Sequence, residues 1–416
     1  MKELWQLPSN WEWQEMRKFV KWTSGGTPKA TEKSFYENGT ISWLITADLN
    51  DNWVYSSQKA ITDLAFKSSS TKMVEIGSVL VAMYGSIGKL GIAGIKCCTN
   101  QAIAFSKELN GVDNKYLFYY FRAIKSYLIS LGKGGTQANI SLTVLNSLTI
   151  PLPPTIEEQC HIVARLEDLL LGLNSARDRL EKIPAILRRF RQSVLSAACS
   201  GRLTAEWREG NECGEWEHTS LCKIIKEKPR NGYSPVGVKY VTPYKNLTLT
   251  ATTSGKFKAE HFKYIDISID ESSYLWLKNG DILVQRSNSL EHVGVCAIYD
   301  GEDNAFVYPD LMMKIVTNTQ IALVKYVYYS LSNIDTRIYF MNSATGTAGN
   351  MPKINQQTVL NTPIYLPPLP EQEEIVRRVD QLFVLADSIE QRYNTAKATL
   401  AKAEKALCKK AFSGEF

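Results

Sequence analysis

The sequence predicts an α/β (α+β) protein in which two similar mixed domains are each followed by a long helix. Three observations support this fold class. A stretch of the chain is repeated without a gap, each copy carries a long apolar stripe with helical spacing, and short β-branched runs alternate with helical patterns before each copy. We expect the two helices to form an antiparallel coiled coil related by a pseudo-two-fold axis.

The repeat is clearest in the helical segments. Residues 158–203 align with residues 371–416, so that Glu158-Gln159 matches Glu371-Gln372 and Ser200-Gly201 matches Ser413-Gly414. Internal repetition of this kind is typical of an architecture built from one duplicated unit.

Apolar residues in both copies recur in alternating steps of four and three. A 3.5-residue period keeps one stripe facing a partner helix, so the pattern indicates a coiled coil of helices roughly 50 Å long. Two unrelated surface helices are the alternative, but the matched length and phase favour pairing. The predicted interface residues are Leu166, Leu169, Leu173, Leu180, Leu187, Val379, Leu382, Ile389, Tyr393, Leu400 and Leu407.

Helix start signals lie where each repeat begins. Thr155 and Glu158 form a capping box, and Pro370 with Glu371 places a proline and a carboxylate in the first turn of the second helix. Pro184 lies inside the first stripe, where it removes a backbone hydrogen bond, and we expect a bend there.

A fainter repeat extends through the segments before the helices. Gly77-Ser78-Val79-Leu80-Val81 resembles Gly280-Asp281-Ile282-Leu283-Val284, and Lys115-Tyr116 resembles Lys325-Tyr326, in the same order along the chain. We therefore predict two related domains, residues 1–154 and 204–368, joined by a central helix, 155–203, and closed by a C-terminal helix, 369–416. Paired domains of this kind predict, for a nucleic-acid binder, a bipartite target with a fixed spacer.

Composition narrows the class without deciding the function. The 416 residues are 44% hydrophobic and 22% charged with a net charge of +6, which is ordinary for a globular protein and permits a nucleic-acid partner. No apolar run approaches the roughly 20 residues that cross a bilayer. The eight cysteines are irregularly spaced, which suits a reducing compartment. We expect a cytoplasmic protein.

Motifs for catalysis are missing from the sequence. A base methyltransferase needs an Asn/Asp-Pro-Pro-aromatic motif, but both Pro-Pro pairs follow leucine. The Gly85–Lys89 turn lacks the length of a phosphate-binding loop, and Pro309-Asp310 with Lys314 matches a nuclease motif poorly. The histidines are not spaced as metal ligands. A catalytic cysteine paired with one of them is possible, but nothing in the spacing favours it over ordinary buried thiols. We predict no catalytic residue, no metal site and no cofactor in this chain.

Polar, glycine-rich loops are the candidates for binding DNA, although such loops are often simple turns. Backbone N–H groups, hydroxyls and lysines can contact phosphates, and amides or arginine can reach base edges. Arg286, with Asn288 nearby after a buried strand, is the strongest individual candidate. The first domain contributes Thr23, Gly25, Gly26, Thr27, Lys29, Tyr84, Ser86, Lys89, Lys133, Thr136, Gln137 and Asn139. The second contributes Lys256, Lys258, Arg286, Asn288, Ser289, Thr347, Asn350 and Lys353.

Taken together, these marks resemble a known family. The Leu7-Pro8-Ser9-Asn10-Trp11-Glu12 opening, the Ser24–Pro28 loop, the Leu-Pro-Pro and Glu-Gln pairs before each helix and the two Ser-Gly ends are similar to specificity subunits of type I restriction-modification systems. The resemblance implies two target recognition domains, each reading half of a split site in double-stranded DNA. It also implies helices that dock two methyltransferase subunits, joined by restriction subunits. S-adenosylmethionine, ATP and magnesium would belong to those partners.

Two other hypotheses remain open at this point. The chain is a divergent stand-alone DNA methyltransferase or nuclease, which predicts activity without partners, or a coiled-coil assembly scaffold that binds only protein. Salt-dependent DNA binding separates the scaffold from a DNA-binding subunit, because phosphate contacts release counterions. The recognised DNA sequence and the spacer length are not readable from the chain.

Overall fold

A computed structural model describes residues 5–132, 139–211, 213–346 and 351–416. By its internal contacts the chain divides into two compact units. The first unit comprises residues 1–181 and 394–416, and the second comprises residues 182–393. Each long helical segment is therefore shared, one part belonging to each unit.

The described residues of the first unit form three sheets. Its strands are β1 (Glu12–Glu15), β2 (Val20–Ser24), β3 (Ile41–Leu44), β4 (Asn52–Val54), β5 (Ala60–Ile61), β6 (Met73–Val74), β7 (Val79–Ala82), β8 (Leu90–Ala93), β9 (Cys97–Thr99), β10 (Ile103–Leu109) and β11 (Thr149–Leu152). Its helices are α1 (Asp63–Lys67), α2 (Asn114–Ala123), α3 (Lys125–Ser130), α4 (Leu142–Ser147) and α5 (Ile156–Leu180). The sheet orders are β2-β10-β7-β8-β4, β5-β3-β9-β6 and β1-β11.

The second unit repeats part of this plan. Its helices are α6 (Ile183–Cys199), α7 (Ala205–Glu209), α8 (Val324–Ser332), α9 (Ile334–Ser343) and α10 (Gln356–Leu360), and α11 (Leu369–Phe412) begins in it. Its strands are β12 (Glu217–Ser220), β13 (Arg230–Asn231), β14 (Gly237–Val238), β15 (Tyr244–Leu247), β16 (Phe262–Ile265), β17 (Ile282–Gln285), β18 (Cys296–Ile298), β19 (Met312–Ile315) and β20 (Pro363–Leu366). They form sheets ordered β13-β19-β17-β18, β14-β16-β15 and β12-β20.

The repeated glycine motif starts the central strand of each unit. Gly77 and Gly280 adopt φ of 89° and 90°, a left-handed conformation that favours glycine. The strands that follow, β7 and β17, are buried at every residue. This burial explains why both read as continuous apolar runs rather than alternating ones. The faint repeat in the sequence therefore marks equivalent positions in two related folds.

The first long helix is interrupted, which corrects the prediction of one central helix over 155–203. Helix α5 begins after Thr155, whose hydroxyl accepts from the Glu158 N–H at 3.2 Å, and ends at Leu180. Helix α6 begins at Ile183 with Pro184 in its first turn. Proline is tolerated there because first-turn N–H groups have no helical partner. The sequence predicted a bend at Pro184, and the structure has a break between two helices there.

The long helices pair in antiparallel fashion within each unit. In the first unit Arg177 of α5 binds Glu404 of α11 at 2.6 Å, and the Arg165 guanidinium lies 5.8 Å from the Phe416 ring. In the second unit Arg191 of α6 binds Glu390 at 2.8 Å. Residue numbers rise along one helix as they fall along the other, with the same register in both units, which is the pairing the heptad stripes predict.

Most of the predicted stripe faces inward. Leu166, Leu187 and Val379 are buried, and the rest of the predicted set is half-buried, except for Leu169 and Ile389. These two side chains are 39% and 38% exposed, more than the rest of the predicted set, and their place in the interface stays a prediction. Leu170 is buried instead of Leu169, because an α-helix with 3.6 residues per turn drifts from a strict 3.5-residue repeat.

Candidate nucleic-acid interface

In the first unit, two of the predicted loops meet beside the end of β7. The turn from β7 to β8 is closed by the Gly88 N–H donating to the Ala82 carbonyl at 3.3 Å. Gly88 has φ of 82°, which the turn requires. Across from the turn, Tyr84 pairs with Asn139 in an isolated antiparallel bridge. The structure thus brings together two candidates that are far apart in sequence.

The second unit has the same arrangement beside the end of β17. The Ile354 N–H donates to the Arg286 carbonyl at 3.0 Å, as the Ile140 N–H donates to the Met83 carbonyl at 2.9 Å. Ser287 pairs with Lys353 in an antiparallel bridge. Arg286 is therefore the structural counterpart of Met83. Two matched loop pairs, one in each unit, form the candidate interface.

Arg286 is held by its backbone while its guanidinium keeps its donors available. The main-chain N–H donates to the Leu311 carbonyl at 2.8 Å, and Nη1 lies 3.4 Å from the Asp310 carbonyl. Within the described parts of the chain, no carboxylate lies at ion-pair distance from this half-buried side chain. A guanidinium with free donors suits bidentate contact with guanine or phosphate.

The neighbouring side chains are occupied within their own loop. The Asn288 amide donates to Gln285 Oε1 at 2.7 Å and its Oδ1 accepts from the Ser289 N–H at 2.7 Å. The Ser289 hydroxyl lies 2.8 Å from His292 Nδ1. Each polar end of Asn288 thus makes one bond that shapes the turn, which leaves one N–H and one lone pair of the amide for a base edge.

The glycines of the first loop have a structural reason to be there. A Cβ built on Gly25 would lie 1.9 Å from the Thr99 carbonyl oxygen, and one on Gly26 would lie 2.4 Å from Ser70 Oγ. Glycine lets the two backbones approach each other closely. The close approach of the backbones explains why glycine is needed at positions 25 and 26, whether or not the loop binds a nucleic acid. The side chains of Thr27 and Lys29 in the same loop are exposed to solvent.

Several other predicted residues of the first unit make hydrogen bonds within the unit. The Lys72 ammonium donates to the Thr23 hydroxyl at 2.7 Å, and Thr27 bonds Gln101. Ser86 bonds the carbonyl of the preceding residue, and Lys89 is half-buried at the end of the β7–β8 turn.

In the second unit, Lys258 is exposed, whereas Lys256 binds Asp387 of α11 at 3.2 Å. Lys256 therefore lies beside the long helix rather than in the matched loops. Five predicted residues, Lys133, Thr136, Gln137, Thr347 and Asn350, lie outside the described residues.

Sequence reasoning missed a segment of the second unit that adjoins Arg286. The Ser234 hydroxyl accepts from the Asp310 N–H at 3.1 Å, next to the carbonyl that Arg286 approaches. Val236 and Val241 in the same segment are 87% and 78% exposed. Exposed apolar side chains suit contact with thymine methyl groups. The valines around Gly237 are visible in the sequence, but their exposure is not, and the prediction favoured glycine-rich loops instead.

The groups considered for catalysis are used structurally. Lys314 and Asp281 are both nearly buried with Nζ and Oδ2 3.5 Å apart, and Lys314 also donates to the Trp276 carbonyl at 2.9 Å. Asp310 is exposed and bonds Ser234 rather than Lys314. Burial raises the pKa of the Cys199 thiol to about 12, which disfavours the reactive thiolate.

Where side chains are described, no three His, Cys, Asp or Glu residues are grouped to hold a metal ion. None of the described helices has both the length and the apolar character for crossing a membrane.

Comparison with known proteins gives a consistent result. The sequence matches the family described as the type I restriction modification DNA specificity domain, in two copies, over residues 8–185 and 219–398. The EcoKI specificity subunit of Escherichia coli K12 is 33% identical over 297 residues, covering 70% of this chain and 62% of that protein. The StySPI specificity subunit of Salmonella potsdam is 27% identical over 433 residues, covering 99% and 90%.

Solved structures share the fold. A chain from a type I R-M system superposes with a TM-score of 0.74 at 16% identity, over 99% of this chain and all of that one. The HsdS subunit of Thermoanaerobacter tengcongensis gives 0.56 at 16% identity, over 99% of each chain. The predicted fold class is confirmed, and so is the predicted family.

Proposed function

We propose, from the premise that this chain belongs to the family of type I restriction modification DNA specificity domains, that it selects the DNA site at which partner subunits act. The observation that carries the proposal is the pair of matched loop sites beside β7 and β17. Each unit presents one site on an equivalent framework, but with different side chains. Equivalent frameworks with different reading residues suit a target made of two different half-sites.

The first unit would read one half of a double-stranded target, and the second unit the other half. Arg286 would contact a base or a phosphate in the second half-site, with Lys353 and the Val236 segment beside it. In the first half-site, Tyr84 and Asn139 occupy the positions of Ser287 and Lys353, and uncharged Met83 takes the place of Arg286. The differing chemistry of the two sites predicts an asymmetric target sequence.

The long helices would set the spacer and carry the partner enzymes. Two methyltransferase subunits and, in a complete system, restriction subunits would dock on this chain. S-adenosylmethionine, ATP and magnesium would bind to those partners, and this chain would supply no catalytic group. Its cytoplasmic location stays a prediction.

The test of DNA selection uses the full chain assembled with its methyltransferase. Selection from a pool of random duplexes at several salt concentrations should enrich one split sequence, with affinity that falls steeply as salt rises. Enrichment without salt dependence, or no DNA binding by the assembly, would favour a protein scaffold. Methyl transfer by the purified chain alone would favour the enzyme hypothesis.

The spacing role has a test of its own. One heptad inserted after Glu181 and another after Tyr393 fall at the unit boundaries and leave each unit's own contacts in place. Seven residues add about 10 Å, so the preferred spacer should lengthen by roughly three base pairs at most while both half-sites stay the same. An unchanged spacer would remove the helices from the measuring role.

A further inference from the structure

A cavity of about 820 Å³ opens in the second unit beside the end of α6. Its walls come from the start of α9, from β20 and from the segment that follows α6. The aromatic part of the lining consists of Trp216, Tyr339 and Tyr365, and the small residues include Cys199 and Ser330. Its size lies within the range of roughly 300–1,000 Å³ typical of ligand pockets. None of the proposed DNA-contacting residues lines it.

The matched place in the first unit is filled by an indole ring. Trp5 lies 5.6 Å from the Trp13 ring and 6.5 Å from the Tyr120 ring, measured between ring centroids. Its Nε1 donates a hydrogen bond to the Phe412 carbonyl, near the end of α11. The ring therefore packs on one wall and is fixed in orientation by a single polar contact.

The repeat shows why the second unit is open. Phe412 matches Cys199 in the gapless alignment, and Tyr120 matches Ser330 because Lys115-Tyr116 matches Lys325-Tyr326. The Phe412 and Tyr120 rings pack 5.5 Å apart, whereas Cys199 Sγ and Ser330 Oγ are 4.0 Å apart. Two large aromatic side chains are thus replaced by two small ones, and the cavity is the space that results.

The cavity retains polar groups that need partners. Asn333 is 7% exposed, its Nδ2 lies 3.4 Å from Asp335, and its Oδ1 has no hydrogen-bond partner among the described residues. A buried carbonyl without a donor costs roughly 1–3 kcal/mol, so a bound donor would relieve it. Asp335 and Glu215 are exposed at the rim, and in the described part of the chain neither has a cation at ion-pair distance.

We propose that this cavity is a docking site for a tryptophan in a basic segment of a partner protein. The indole would pack against Trp216 and Tyr365, which line the cavity, and its N–H would donate to Asn333 Oδ1. Lysine or arginine flanking the tryptophan would meet Asp335 and Glu215. The cavity is larger than one side chain, so the flanking residues fit as well. This role is independent of reading DNA.

The test measures peptide binding to the full chain by saturation-transfer NMR, which observes the ligand. The probe is the acetylated and amidated peptide Lys-Trp-Lys, and the controls are Lys-Ala-Lys, Glu-Trp-Glu and free indole. We expect saturation of the indole protons in Lys-Trp-Lys, at least fivefold weaker signals for Glu-Trp-Glu and none for Lys-Ala-Lys. Equal binding of free indole and Lys-Trp-Lys would mark a small-molecule site and overturn the protein partner.

Two variants locate the signal. Asn333→Leu removes the proposed acceptor of the indole N–H, and it should reduce the Lys-Trp-Lys signal at least fivefold while the melting temperature stays near that of the parent chain. An unchanged signal in a folded Asn333→Leu chain would contradict the proposal.

Trp5→Ala provides the second check and does not depend on whether Asn333→Leu folds. It opens the matched space in the first unit, so the indole signal should rise about twofold above that of the parent chain. A parent chain that shows no signal, beside a Trp5→Ala chain that does, would show that the second cavity does not accept an indole.

Discussion

The two units fix equivalent glutamates at the start of their long helices in different ways. Glu158 accepts one hydrogen bond from Trp11 Nε1 at 3.0 Å and is partly exposed. Glu371 is fully buried and accepts from Trp216 Nε1 at 2.8 Å, from Arg208 Nη2 at 2.6 Å and from the Thr204 hydroxyl at 2.7 Å. The hydrogen bond from the indole is common to both units. The second unit adds an ion pair between buried Glu371 and half-buried Arg208.

The glutamine that follows is held alike in both units. Gln159 Oε1 accepts from the Asp113 N–H at 2.9 Å, and Gln372 Oε1 accepts from the Leu323 N–H at 2.8 Å. Asp113 and Leu323 precede α2 and α8, the equivalent helices of the two units. The repeated Glu-Gln pair therefore locks the long helix to the globular part of each unit. The contrast shows that the duplicated framework is preserved where it joins the helix and diverges around it.

The largest expected difference between the units concerns the two glutamates. Glu371→Ala should lower the free energy of unfolding by roughly 2–4 kcal/mol, because it leaves the Thr204 hydroxyl and the Trp216 N–H without an acceptor and the half-buried Arg208 guanidinium unpaired. Glu158→Ala should cost about 1 kcal/mol, the usual contribution of one hydrogen bond. Urea unfolding of both variants measures the two values, and equal losses would contradict the comparison.

The glutamines should behave as a matched pair. Gln159→Leu and Gln372→Leu should each cost about 2 kcal/mol, because each leaves buried backbone groups without partners. Hydrogen exchange should show the loss locally, at Asp113 in one variant and at Leu323 in the other. Gln101→Leu, away from these helices, serves as the control. A large loss in only one of the glutamine variants would show that the two junctions are not equivalent.

Arg286 should separate the two half-sites functionally. Arg286→Ala should relax discrimination at one base position of a single half-site by roughly 1–3 kcal/mol. Exposed Lys258 is the matched control, whose change to alanine should weaken binding of all sequences alike. Competition between duplexes that differ in one half-site measures the discrimination of both variants. Uniform weakening by Arg286→Ala would mark it as a phosphate contact.

The smallest expected effect is on stability at acid pH, where the ion pairs of Glu404 in α11 are lost. Burial by itself raises the pKa of Glu404, but hydrogen bonds from Arg122 and Arg177 outweigh it and hold the pKa below its ordinary 4.5. The stability that this carboxylate adds is present above about pH 4.5 and is lost as the pH falls through the lowered pKa. Glu404→Gln should therefore have a shallower loss of stability below pH 4.5, with a difference of about 1 kcal/mol or less. Parallel acid profiles would show that the pair adds nothing.

Local patterns predicted the helices well because their signals repeat. Caps, heptad spacing and the disturbance at Pro184 are all read from neighbouring residues. A strict heptad does not account for the greater exposure of Leu169 and Ile389 or for the burial of Leu170, since a real helix drifts from that repeat.

The candidate site was harder to predict because it depends on contacts between distant segments. Gly25 and Gly26 looked like a phosphate-binding loop, but their need for glycine comes from Thr99 and Ser70. Asn288 looked free, but its partner is Gln285. The junction formed by Gln159 and Asp113 could not be read from either segment alone, although the repetition of both motifs pointed to it.

Whether each unit reads one half-site is tested most directly by a genome-wide map of methylated bases, sequenced at single-molecule resolution in cells that carry this chain and its partner methyltransferase. We expect one split motif with a fixed gap, in which Arg286→Ala relaxes the sequence of one half and leaves the other unchanged. A single uninterrupted motif, or both halves altered by that one substitution, would contradict the assignment of one half-site to each unit.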